Sequence, residues 1–424
     1  MTRKTVFIGM IATIVVTFNI FFGGCINQPV TDSFVGEEDQ IRSFADDSMA
    51  TSQGVASVVY ANNQFAFELY LQYKDKEDNI FFSPYSISVA LAMTYEGARG
   101  QTASEMQSVL HFPEEDITRR AAFARLYNEY NIDNTDYILS TANALWTQED
   151  YKFLTDYLNI IEQYYMGKTT DLDFKGEPEE SRETINNWVE ERTNDKIQDL
   201  IPPGVINELT RLVLTNAIYF KGDWATQFDE ENTQEADFRV SSEKTVKVQM
   251  MGLSGESFNY TATDIAQIIE LPYKGDDLSM LILLPTEDNL DSLEESLSAE
   301  SLNQLRSELR ETEIEVYMPK FKLETKYFMS DTLKEMGMLT AFSEAQADFS
   351  GMNGKKDLYI TSVIHQGFIE VNEKGTEAAA ATAVTIGTYS GPPTFYADHP
   401  FIFLVQDKET GNILFIGRVV DPTL

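Results

Sequence analysis

The sequence is poor in the residue types on which most compact catalytic and metal chemistry depends. Its 424 residues include one cysteine, Cys25, so an intramolecular disulfide, a cysteine-based zinc site and a CxxC redox pair are all excluded. Histidine occurs only at 111, 365 and 399, which makes a multi-histidine metal site improbable. There is no GxSxG nucleophile elbow, no GxGxxG turn and no P-loop. Positive charge is scarce as well: 32 Lys and Arg face 68 Asp and Glu, for a formal net charge of −36. A protein that grips nucleic acid by its phosphates needs the opposite balance. Carboxylate pairs are so frequent in this chain that none singles out a site. The expectation is a protein with no catalytic residues, no metal and no cofactor. Hydrophobic residues, at 43%, are ample for a packed core. The length suits one large domain or two to three smaller ones.

What is present begins with an address. Arg3 and Lys4 precede a mostly apolar run, Val6 to Phe22, which ends in Gly23, Gly24 and Cys25. A basic flank, an apolar stretch and small residues describe an export signal. Gly-Gly-Cys also resembles the end of a prokaryotic lipobox, in which Cys25 becomes the lipidated first residue. Phe22 departs from the Leu or Val usual three places before that cysteine. An uncleaved anchor and cleaved secretion are the alternatives, and all three place the domain outside the cytoplasm. The expected organisation is a leader at 1–24, an acidic flexible tether at 25–54 and a single domain at 55–424. The tether is assigned because its Gln, Thr, Ser, Asp and Glu bury too little surface to order it.

In the body, helices come first. Val58, Ala61, Phe65 and Leu69 recur at helical spacing within 55–73. Ser83-Pro84 reads as a helix start, and Thr102 to Glu105 as a capping box. Residues 151–165 and 181–194 are further helices. Strands follow. Leu212 to Phe220 is a nearly continuous apolar run, as for a strand covered on both faces. Thr245–Met251, Ile265–Leu271, Leu278–Leu284, the alternating Glu313–Met318, Phe401–Val405 and Ile413–Val419 are the others. The class is α+β. His365 sits in a strand-like Ile-His-Gln and reads as a satisfied core histidine. His399, before Pro400 at a strand start, reads as a surface residue.

Residues 373–391 (EKGTEAAAATAVTIGTYSG) stand apart. Four consecutive alanines favour a helix, yet Gly375 precedes them and Thr382, Val384, Thr385 and Ile386 are β-branched. At period two, one face is Thr376, Ala378, Ala380, Thr382, Val384 and Ile386, without a charge. Proline is absent until Pro392. The segment can occupy a central strand with no clash, no buried charge and no missing donor.

This stretch resembles the reactive-centre loop of serpins, and the resemblance runs from about Val55 to Leu424. Glu373, Gly375, Thr376, Glu377, Ala378, Ala379, Ala380, Ala381 and Thr382 look like the hinge of inhibitory members. Asn79 to Ile87 (NIFFSPYSI), Leu214 to Trp224 (LTNAIYFKGDW), Met318 to Phe321, Ala347 to Met352 and Asp398 to Phe403 match the family in order. The resemblance implies helices packed around three β-sheets, with an exposed reactive loop at about 373–393. It implies that Ser83, Ser86, Asn216 and His365 form a polar cluster under the central sheet. It places Trp224, Lys320 and Glu373 where the loop enters, with Lys320 and Glu373 paired. Counting from the hinge glycine puts the reactive bond at Tyr389–Ser390, which suits chymotrypsin-like or subtilisin-like enzymes. The implied partner is a target serine protease, held as a covalent acyl complex by a monomeric inhibitor. The alternatives are a non-inhibitory serpin acting as carrier or chaperone, and a cell-surface binding protein.

Overall fold

Chain order in this computed structural model is described for residues 44–76, 78–131, 136–286, 290–375 and 392–424, and Phe44–Leu424 form one compact unit. The compact unit therefore takes in residues 44–54, ahead of the expected start at Val55. Ala45 is buried, and its amide donates to Asn128 Oδ1 at 2.9 Å. The Asp46 amide donates to the Gln163 carbonyl at 2.8 Å. The acidic composition misleads here because the charges have partners: Gln163 and Ser48 hydrogen-bond Asp46, and Arg125 faces Asp47.

Among the described residues, six helices build the first half: α1 (Ser52–Leu71), α2 (Pro84–Tyr95), α3 (Gly100–Leu110), α4 (Asp116–Tyr130), α5 (Thr155–Tyr165) and α6 (Pro178–Arg192). Thr51 caps α1, its hydroxyl accepting from the Gly54 amide at 3.0 Å. Ser83 caps α2 with Pro84 in the first turn, as its sequence signals. Thr102 does not cap α3. The helix starts two residues earlier, and the Thr102 hydroxyl is buried, accepting from the Asp348 amide at 3.0 Å. Glu105 turns outward from the helix to accept from the Thr340 amide at 2.7 Å. Both would-be capping groups are claimed by distant chain, which a local motif does not record.

The strands are β1 (Ile80–Phe82), β2 (Tyr137–Gln148), β3 (Lys168–Leu172), β4 (Leu212–Gly222), β5 (Gln234–Arg239), β6 (Thr245–Ala262) and β7 (Ala266–Pro272). Then come β8 (Leu278–Pro285), β9 (Arg310–Pro319), β10 (Phe321–Phe328), β11 (Ser362–Val371), β12 (Thr394–Tyr396), β13 (Phe401–Asp407) and β14 (Ile413–Val419). They form a five-stranded sheet, β10-β11-β4-β2-β3, and a nine-stranded one, β1-β14-β13-β8-β7-β6-β9-β12 with β5 added on β6. β6 joins regions that would otherwise be separate sheets: its first half pairs β5 and its second half β7. A register shift against β9 between Leu253 and Glu256 marks the bend, with Gly255 at a φ of +80°.

The five-stranded sheet is covered on both faces, which is why β4 is apolar almost throughout. Leu212, Leu214, Ile218 and Phe220 point into the main core. Val213, Ala217 and Tyr219 alternate with them and face a second core that includes Ile185 and Val189 of α6.

Candidate functional site

The five-stranded sheet has a seam. β11 and β4 run parallel through seven registered pairs, from Ser362 opposite Val213 to Phe368 opposite Tyr219. Their outer neighbours, β10 and β2, are antiparallel to them. Parallel pairing is slightly the weaker per residue. Two groups of side chains mark this seam, one beneath its middle and one at its top.

Beneath the middle lies a directed hydrogen-bond network. His365 of β11 and Asn216 of β4 stand opposite each other in the ladder. The Ser83 amide donates to His365 Nε2 at 3.1 Å. An amide has only a proton to give, so Nε2 is the acceptor and Nδ1 carries the hydrogen, donated to Asn216 Oδ1. Asn216 Nδ2 donates to Ser86 Oγ and to Asn143 Oδ1, each at 2.6 Å. Ser86 Oγ donates to Asn143 Oδ1 at 3.0 Å, and Ser83 Oγ to the Leu414 carbonyl at 2.6 Å. Burial pushes the imidazolium pKa down to about 3, so His365 is neutral and both its nitrogens are occupied. It has no free lone pair to act as a base. The cluster ties α2, β2, β4, β11 and β14 together under the seam.

Asn143 completes that cluster and has no signal in the sequence. It lies in a strand of mixed small, polar and apolar residues, none of which marks one asparagine above its neighbours.

At the top, β11 ends in the turn Asn372-Glu373-Lys374-Gly375. The Trp224 amide donates to the Lys374 carbonyl at 2.7 Å, and the Phe228 amide to the Glu373 carbonyl at 2.9 Å. Trp224 Nε1 donates to the Asn372 carbonyl at 2.9 Å, while its ring stacks on Tyr273 with centroids 4.7 Å apart. Gly375 has a φ of +145°, and a Cβ there would meet the Gly222 carbonyl oxygen at 2.1 Å. Only glycine fits. The Glu373 side chain is buried, 2.9 Å from Lys320 Nζ, and Thr233 Oγ1 donates to it at 2.7 Å. Burial alone would raise this carboxyl's pKa, but Lys320 and Thr233 outweigh it and hold the pKa below the ordinary carboxylate range.

The structure thus brings Ser83, Ser86, Asn216 and His365 into one cluster, and Trp224, Lys320, Glu373 and Gly375 into another. Thr376, Glu377, Ala378, Ala379, Ala380, Ala381, Thr382, Tyr389 and Ser390 lie outside the described residues, as does Cys25. His399 is a correction. It is buried, with Nε2 2.9 Å from the Pro285 carbonyl and Nδ1 2.8 Å from Asp398, because the chain entering β13 packs against the end of β8. Among the described residues, no group of three or more His, Cys, Asp or Glu could hold a metal ion.

The family described as Serpin (serine protease inhibitor) matches residues 60–422. An uncharacterized serpin-like protein of Thermococcus kodakarensis is 42% identical over 95% of this chain and 96% of its own. Serpin B4 of Homo sapiens is 43% identical over 86% of this chain and all of its own length (100%). Among solved structures, uncleaved ovalbumin superposes with a TM-score of 0.80 at 33% identity, covering 86% of this chain and 100% of its own.

Proposed function

Because this chain belongs to the serpin family, whose members are in general protease inhibitors rather than enzymes, we propose that it is a suicide-substrate inhibitor of serine proteases, cut between Tyr389 and Ser390. Strand addition by loop insertion is the family's own general mechanism; what this chain adds is a register for it.

The observation that carries the proposal is the position of Gly375. It is bridged antiparallel to Asn372 on the β11 side and to Asp223 on the β4 side. Those two bridges agree with the offset of the β11–β4 ladder itself. Extended residue by residue, they set Thr382 between His365 and Asn216, over the polar cluster. The uncharged face, Thr376 through Ile386, would then lie on the side of Ile218, Phe220 and Ile369, in the main core. Thr376 to Ile386 would run beside the whole of β4, which is 11 residues long.

The chemistry is as follows. The protease serine attacks the Tyr389 carbonyl, forms an acyl-enzyme and releases the Ser390 amine. The freed end then enters the seam. One parallel ladder is exchanged for two antiparallel ones, at about 1 kcal/mol net per added hydrogen bond and so on the order of 10 kcal/mol in all. Fourteen residues at about 3.3 Å carry the acylated enzyme roughly 45 Å from where it bound. The uncut form is held by a barrier rather than by equilibrium. We place the domain outside the cytoplasm as a monomer, held to a membrane through a lipidated Cys25.

Incubation of the domain with chymotrypsin or subtilisin tests this. A complex that survives denaturing electrophoresis is expected; cleavage alone would indicate a carrier, and turnover of another substrate an enzyme. Tyr389→Arg should redirect complex formation to trypsin, whose pocket needs a basic side chain. Unchanged selectivity would reject the assigned bond.

A further inference from the structure

A second site lies beside the seam. A cavity of about 120 Å³ opens between α2, α4, β2, the end of α5 and α6. Tyr85, Val89 and Leu139 line its wall, and Lys168, Trp188 and Arg192 line it as well. Lys168 Nζ lies 5.1 Å from the centroid of the Trp188 ring and 5.4 Å from that of Trp146. The Arg192 guanidinium lies 5.7 Å from the Trp188 ring. In a chain of net charge −36, no carboxylate among the described residues lines this cavity. Elsewhere basic side chains pair with carboxylates, as Arg119 does with Glu96 and Lys320 with Glu373, but among the described residues neither Lys168 nor Arg192 makes an ion pair. The nearby Glu191 acts on Lys168 only at a distance, and Arg192 opposes it. The buried indole N–H of Trp188 also has no acceptor, which leaves a donor unmatched at some cost.

The turn that sets this arrangement is tight. Met166 is left-handed at φ 49°, and a Cβ on Gly167 would meet Met93 Sδ at 2.2 Å. Lys168 follows at once as the first residue of β3. Desolvation first, and then Arg192, lower its pKa. Carboxylates more than about 8 Å from this pair act on it little, because at physiological salt they are largely screened.

We propose that this cavity binds a small amphipathic carboxylate, its apolar part among Tyr85, Val89, Leu139 and Trp188 and its charge between Lys168 and Arg192. A dry cavity of about 150 Å³ admits benzene; this smaller, open one takes a short chain or part of a single ring, with the carboxylate outside at the exposed Lys168 and Arg192. Asn143 also lines the cavity and is the residue through which β2 joins the polar cluster. A ligand would therefore sit against a member of that cluster. The proposal does not depend on the inhibitory reading.

Benzoate is a suitable probe, with benzamide and sulfate as controls, followed by ligand-observed NMR and by calorimetry on the intact chain. Benzoate is expected to bind at least ten-fold more tightly than benzamide, and sulfate at equal concentration should not displace it. The Lys168→Met/Arg192→Gln double variant should bind benzoate at least ten-fold more weakly at an unchanged melting temperature. Equal binding of benzoate and benzamide, displacement by sulfate, or an undiminished affinity in the folded double variant would each overturn the proposal.

Discussion

The two sheets solve opposite problems. In the nine-stranded sheet, β8, β13 and β14 are buried throughout and pair antiparallel, with one irregularity between Val405 and Gln406. In the five-stranded sheet, the β4–β11 seam is parallel, and polar side chains stand across it. A sheet meant only to endure gains nothing from a buried histidine and asparagine at its weakest ladder. On the proposed reading the cluster sets the closed register of the sheet that opens, because a satisfied buried network specifies one arrangement. On the proposed reading, the same chain carries one sheet that stays fixed and one that opens to accept a strand.

The largest effect should come from the fixed sheet. Leu283→Ala in β8 removes a fully buried side chain and should cost about 2–5 kcal/mol of stability. Chemical denaturation would measure that loss. The yield of protease complex, read on a gel under folding conditions, should stay the same, because neither ladder of the seam changes. A large fall in yield at retained fold would break the comparison.

Thr376→Arg acts only on the sheet proposed to open. It places a charge at the first inward position of the inserted strand, at a cost of several kcal/mol if buried there, while the uncut form should melt as before. The expected result is a substrate that is cleaved and released. Wild-type complex yield in this variant would refute insertion.

A smaller effect separates the cluster from its surroundings by pH. The folded pKa of His365 is lowered from 6.5 to about 3. Between those values the unfolded chain takes up a proton that the folded chain refuses. The contribution is therefore complete above about pH 6.5 and is lost as the pH falls toward 3, at up to about 1.4 kcal/mol per pH unit. His365→Gln can keep one donor and one acceptor but cannot titrate. Between pH 7 and 5 its stability should fall less steeply than that of the wild type; parallel profiles would contradict the buried neutral histidine.

Much of this contrast was legible in the sequence, for reasons that differ by element. The apolar run of β4 needs no context, since a strand covered on both faces must read that way. The Ser83-Pro84 start of α2 is a local signal, and the structure keeps it. The Thr102 signal is also local, but its groups are taken by Asp348 and Thr340, far along the chain. Residues 44–54 look like tether because composition counts charges and does not see that Gln163 and Arg125 are waiting for them. β2 escaped because its small and polar residues lack a clear alternation, and Asn143 escaped with it. The two clusters at the seam were legible only through the family resemblance. Nothing in composition or periodicity joins Ser83 to His365, or Lys320 to Glu373, across such separations.

The measurement closest to the central claim is the thermal unfolding of the chain before and after a single cut in the 376–391 segment by a catalytic amount of subtilisin. If the seam accepts the freed strand, the nicked protein should stay folded tens of degrees above the intact one. A nicked protein that melts at or below the temperature of the intact chain would mean that the seam does not open to it.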